Sequence, residues 1–130
     1  MKLKLTKKLL TLGVSAMILS CTSVSAFASN SAGFSGSASK GNPVTSAPWG
    51  RATTTANYDT DSIGAKISVW TDGSLTDTDT TDHTWRHVAQ TSKVYGGHYK
   101  AAGTAFEADY YGTDFDSSPT SWSDSDSWSY

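Results

Sequence analysis

The sequence predicts an all-β fold, a small antiparallel β-sandwich or barrel, preceded by a cleaved signal peptide and a flexible Ser/Gly-rich leader. Three observations carry the prediction. Apolar residues recur with a period of two rather than 3.6. Turn-forming residues punctuate the chain at intervals that suit roughly 5 to 7 strands. Leu, Glu and Gln, good helix formers, are scarce after residue 30, and no segment carries a helical apolar stripe.

The chain opens on a basic head, Lys2, Lys4, Lys7 and Lys8, followed by an apolar run from Leu9 to Leu19 and a small-x-small site at Ala26-Phe27-Ala28. That order describes a secretory signal peptide over residues 1–28. The run is about half of the roughly 20 residues a spanning helix needs, so no stable membrane span is expected. Cys21, preceded by Ile18-Leu19-Ser20, offers a competing reading as a lipid anchor. Leucine directly before the small residue is unusual there and a good cleavage site lies downstream, so a free, secreted, extracellular protein is preferred.

Cleavage after Ala28 leaves 102 residues, Ser29 to Tyr130, and removes the only cysteine. The mature domain then lacks thiols and disulfides and, unless a metal or partner assists, folds on packing and hydrogen bonds alone. Cleavage also takes four of the ten basic residues and none of the twelve acids, so six bases face twelve acids and the net charge is −6. Scattered bases on an acidic domain offer no electrostatic footprint for nucleic acid or anionic membrane, and a polyanion-binding role is not expected.

Residues 29–48, rich in Ser, Gly and Ala, read as the flexible leader. Residues 49–130 read as a single β-rich domain with a Ser/Asp/Trp-rich C-terminal segment. Arg51 to Tyr58 alternates, with Ala52, Thr54, Ala56 and Tyr58 on one side. In Ser62 to Trp70, Ile63, Ala65, Ile67 and Val69 define the apolar side of a half-buried strand, and Asp72-Gly73 signals the turn after it. Next, His83–Tyr95 and His98–Tyr110 flank Gly96-Gly97 as a hairpin with a two-residue turn. Its register sets Trp85 against Ala108, His87 against Phe106 and Arg86 against Glu107, a favourable ion pair. Lys93 opposite Lys100 counts against it. From Trp122 to Tyr130 a last strand is expected, with Trp122, Asp124, Asp126, Trp128 and Tyr130 on one side; burial of these aromatics is favoured over a mobile binding tail.

Chemistry is sparsely signalled. Aspartates pair one residue apart at Asp59/Asp61, Asp77/Asp79, Asp114/Asp116 and Asp124/Asp126, with Asp82 near the second pair. Calcium uses such oxygens, but the Asp77–Asp82 segment lacks the glycine and terminal glutamate of an EF-hand loop, so solvated acidic loops are expected and no metal or cofactor is assigned. His83 and His87, if on one strand, stand roughly 13 Å apart, too far to share an ion. Glu107 is the only glutamate, and Arg86 as its partner would hold it ionised. No Gly-x-Ser-x-Gly elbow is present, no catalytic residue is assigned, and an enzyme is not expected.

Recognition remains. Trp49, Trp70, Trp85, Trp122 and Trp128 are an aromatic excess, and aromatic faces stack on the apolar faces of sugars. The expectation is a secreted, non-catalytic module for a cell-surface component, with cell-wall glycans as the ligand class and Trp70, Trp122, Trp128 and Tyr130 as ligand-binding residues. Trp70 stands out because alternation puts it on the face away from Ile67 and Val69. The second reading is a secreted antagonist of neighbouring cells. Small size, a Lys-rich signal and a cysteine-free Gly/Ser/aromatic β-domain are loosely similar to small bacteriocins of Gram-positive bacteria, with no motif that assigns a family. The acidic charge argues against direct attack on anionic membranes.

Overall fold

Small and β-branched residues in strict alternation favour extended backbone, and eight strands form among the described residues. They are β1 (Ser35–Gly41), β2 (Trp49–Thr60), β3 (Ser62–Thr71), β4 (Ser74–His83), β5 (Arg86–Gln90), β6 (Val94–Tyr95), β7 (Thr104–Thr113) and β8 (Ser121–Ser129). The computed structural model describes residues 32–114 and 121–130. The expected signal peptide, Cys21, residues 29–31 of the leader and Asp116 lie outside them. Every pairing is antiparallel, in two sheets. The first runs β1-β2-β5, with β6 also paired to β2; the second runs β4-β3-β7-β8. No described helix is long and apolar enough to cross a membrane.

The core lies between the sheets and divides its volume unequally. The second sheet contributes Ile63, Ile67, Val69, Phe106 and Tyr110 with Ala65 and Ala108 between them, whereas the first contributes Ala52, Thr54, Ala89 and Val94. Large side chains on one layer meet small ones on the other, which keeps the packing dense without strain. Thr54 is buried with its hydroxyl donating to the Gly64 carbonyl of the opposite sheet at 2.7 Å, so its polar atom is satisfied. The β3–β4 hairpin closes at Asp72-Gly73 as expected. Both residues have positive φ, 51° and 81°, the conformation a two-residue turn with the strands' own twist requires.

Two expectations are corrected. The hairpin about Gly96-Gly97 does not form: β5 pairs with β2 in the first sheet, and β7 lies between β3 and β8 in the second. Gly96 and Gly97 are not in the positive-φ region; instead their N–H groups donate to the Pro48 carbonyl at 2.9 Å and to Thr71 Oγ1 at 2.8 Å. The stretch 83–95 is not one strand either, because Trp85, at φ 55°, turns the chain from β4 to β5. Register against β3 explains the outcome. Phe106, Ala108 and Tyr110 of β7 face Val69, Ile67 and Ala65, joining two apolar stripes that the hairpin would have kept apart. Arg86 and Glu107 consequently sit in different sheets.

The leader is also ordered over β1, which pairs with β2 from Ser35–Thr55 to Gly41–Trp49. Its small residues are a packing device. A Cβ on Gly36 would overlap the Tyr110 ring, so low side-chain volume lets this strand cross a large aromatic. Phe34, just before it, is 5% exposed and stacks on Trp122 at 5.5 Å.

Candidate functional site

The outer face of the first sheet is built by the odd positions of β2. Alternation sends Gly50, Ala52 and Thr54 inward and leaves Trp49, Arg51, Thr53 and Thr55 outside. Register sets Trp49 directly opposite Tyr95 of β6 on one side and Gly41 of β1 on the other. A Cβ on Gly41 would overlap the indole, so the ring lies flat over that glycine. Lys93 Nζ stands 4.0 Å from the Trp49 ring centroid, a cation–π contact. Tyr95 is 46% exposed.

Polar groups continue the strip. Arg51 Nη1 donates to Gln90 Oε1 at 3.4 Å, and Gln90 Nε2 donates to Thr53 Oγ1 at 2.9 Å. From Trp49 to Thr55 the strip covers about 20 Å. An aromatic pair beside a guanidinium, an amide and hydroxyls can take an amphipathic ring, apolar face on the indole and polar rim on the donors. Trp49 is one of the five tryptophans of the aromatic excess but not one of the expected binding residues. Alternation was the available signal, since it puts Trp49 and Arg51 on one side; Tyr95 joins them only through a pairing between distant segments.

The expected binding residues fall in two other places. Trp70 is on the outer face of the second sheet, facing Leu75 across a β-bulge and Ala105 of β7. Trp122, Trp128 and Tyr130 share the core-facing side of β8 and its end, as alternation predicts. Trp128 stacks on Phe106 at 4.9 Å, Tyr130 meets the same ring edge-on at 6.4 Å, and Lys40 covers Trp128 at 4.7 Å. The Trp128 Nε1 is buried without a hydrogen-bond partner. These aromatics are set for packing, and the structure does not bring them together with Trp70. Trp85, at its positive-φ turn, is 67% exposed.

Around Trp70 the outer face is acidic. Glu107 and Asp109 of β7 face Ser68 and Lys66 of β3, and the Tyr111 hydroxyl donates to Asp82 at 2.6 Å. Burial raises the pKa of Glu107 and Asp109; repulsion from Asp109 raises Glu107 further, while Lys66 acts in the opposite sense on both. Glu107, expected to be held ionised by Arg86, instead moves up, chiefly through burial. A carboxyl with a raised folded pKa supports the fold while protonated, and that support is lost as pH rises through the folded value. The double variant E107Q/D109N is therefore expected to melt above the wild type at pH 7, with the gap closing below the ordinary carboxylate range. Parallel melting curves across that pH interval would count against the shifts.

Two aspartate pairs occupy edge strands. Asp77 and Asp79 of β4 pair with Val69 and Ile67, and Asp124 and Asp126 of β8 pair with Tyr110 and Ala108, so all four point from edge strands toward the core side. Inward-pointing charge on an edge strand resists pairing with another chain. Asp79 also ties the layers, accepting the Ser92 N–H at 2.6 Å. Among the described residues no three His, Cys, Asp or Glu side chains converge as a metal-ligand group. His83 closes β4 and His87 belongs to β5 in the other sheet, where its Nδ1 lies 2.7 Å from Asp59. His98 approaches Asp72 at 3.6 Å.

No family model and no curated protein matches the sequence. Among solved structures, the chain is similar to Bacteroides uniformis beta-glucuronidase 2 covalently bound to cyclophellitol-6-carboxylate aziridine, at 6% identity and a TM-score of 0.41, over 73% of this chain and 13% of that one. This chain thus spans a small part of that enzyme. It is also similar to a CARDB domain from Pyrococcus furiosus in complex with di-metal ions, at 8% identity and a TM-score of 0.32, over 71% and 88% of the two chains. A protein from Archaeoglobus fulgidus aligns at 13% identity and a TM-score of 0.33, over 74% and 95%. At these scores none of the three bears on what this chain binds or does.

Proposed function

We propose that the protein is a secreted, extracellular, non-catalytic recognition module that binds cell-surface glycans through the outer face of its first sheet. The observation that supports this reading most is the Trp49–Tyr95 pair, set directly opposite on an outward face beside the Arg51–Gln90–Thr53 hydrogen-bond chain. Paired aromatics supply stacking area at low entropic cost, and the amide and guanidinium supply directional bonds to hydroxyls. Secretion is supported by the order of basic, apolar and small residues in the first 28 positions. Affinity electrophoresis through gels containing soluble cell-wall polysaccharides tests the reading. Slowed migration in at least one polysaccharide is expected, and unchanged migration in all of them sinks it.

A further inference from the structure

We infer that this face selects an acidic glycan, a chain of sugar rings bearing carboxylates, with Trp49 and Tyr95 stacking on the rings and Lys93 and Arg51 pairing with the carboxylates. This rests on the glycan reading above and assigns its ligand class. Lys93 Nζ lies over the Trp49 ring at 4.0 Å, so a sugar that stacks there must displace it. A neutral sugar forfeits that cation–π contact and gives the ammonium nothing in return. A carboxylate on the sugar's rim supplies a counter-ion as the ammonium swings off the ring, which makes displacement favourable.

Arg51 points to the same ligand. Its one described hydrogen bond is the long 3.4 Å contact from Nη1 to Gln90, and its Nε has no partner. A planar guanidinium fork two residues along the same outward face from Trp49 fits a carboxylate better than a hydroxyl. The outward positions of β2 from Trp49 to Thr55, and Gln90 and Tyr95 opposite them, carry no Asp or Glu.

Net charge opposes an acidic ligand only when it is averaged over the molecule. Glu107, Asp109 and Asp82 are on the outer side of the second sheet, and Asp77, Asp79, Asp124 and Asp126 are on its edge strands. Packed sheets stand about 10 Å apart before outer side chains are counted. Solvent paths between the two outer faces exceed the Debye length of about 8 Å at physiological ionic strength, so Glu107, Asp109 and Asp82 act only weakly on Lys93 and Arg51, while Asp79 is taken up by the Ser92 N–H beside Lys93.

Isothermal titration of the protein, expressed from the full chain, with polygalacturonate and with its fully methyl-esterified form tests this, because the two polymers share a backbone and differ in charge. Binding to polygalacturonate is expected to be at least about tenfold tighter. Lys93→Gln and Arg51→Gln should each bring the ratio of affinities for the two polymers down toward one, with the melting temperature near wild type; a ratio unchanged in both variants overturns the assignment. Equal affinity for the two polymers overturns the acidic assignment and leaves the glycan reading standing. Competition by inorganic polyphosphate or single-stranded DNA as strong as by polygalacturonate overturns it as well, by reducing the face to a charge sink. Failure to bind either polymer also overturns it, and the cell-wall polysaccharides of the electrophoresis experiment then decide the parent reading separately.

Discussion

Trp49→Ala is expected to weaken glycan binding at least about 30-fold, on the order of 2 kcal/mol, the loss typical of a central aromatic anchor. Residue 49 stands between Gly41 and Tyr95 in the sheet, with its indole over Gly41, which has no side chain to replace the lost ring. Its removal also leaves Lys93 without the ring that holds it over the face. The fold should lose only about 1–2 kcal/mol, because the ring is half-buried and outside the core. Titration and thermal melting of the same preparation separate these effects. Trp70→Ala, on the opposite outer face, is the matched control and should bind within about twofold of wild type. If Trp49→Ala binds normally and Trp70→Ala does not, the recognition surface is the second sheet.

Phe106→Ala is expected to cost about 3–5 kcal/mol of folding stability. Phe106 is 2% exposed, faces Val69 across β3 and Trp128 across β8, and carries both the Trp128 stack and the Tyr130 edge contact. A Cβ on Gly50 of the first sheet would come within 2.8 Å of its ring, so the two layers touch closely here. Removal opens a cavity between the sheets and loosens β8 together. A small domain has roughly 5–15 kcal/mol in total, so this one side chain accounts for a large share. Urea denaturation checks it; a loss under about 1 kcal/mol would mean that Trp128 collapses into the gap and that the stack is not structural.

Local features were legible and non-local ones were not. The alternation in Ser62–Trp70 gave both the strand and its buried side, because which face a side chain takes depends only on its neighbours along the chain. Asp72-Gly73 gave its turn for the same reason. The Gly96-Gly97 hairpin failed because a partner is chosen by competition. Pairing with β3 sets Phe106, Ala108 and Tyr110 against the unbroken apolar stripe Val69, Ile67 and Ala65, where the hairpin would have set Phe106 against His87. The Ser/Gly composition of β1 suggested flexibility, yet small residues are what a strand crossing the Tyr110 ring needs.

By itself the sequence determined the all-β class and the inward sides of β3 and β8, since each is local. Tertiary structure alone decided that Trp49 meets Tyr95, that Phe34 and Phe106 are the rings on which Trp122 and Trp128 stack, and that Lys93 joins the acid-free outward stretch of β2 from Trp49 to Thr55. Those outcomes depend on which strands pair and which layer each joins. The free energy that selects among pairings comes from surface buried between segments far apart in the chain.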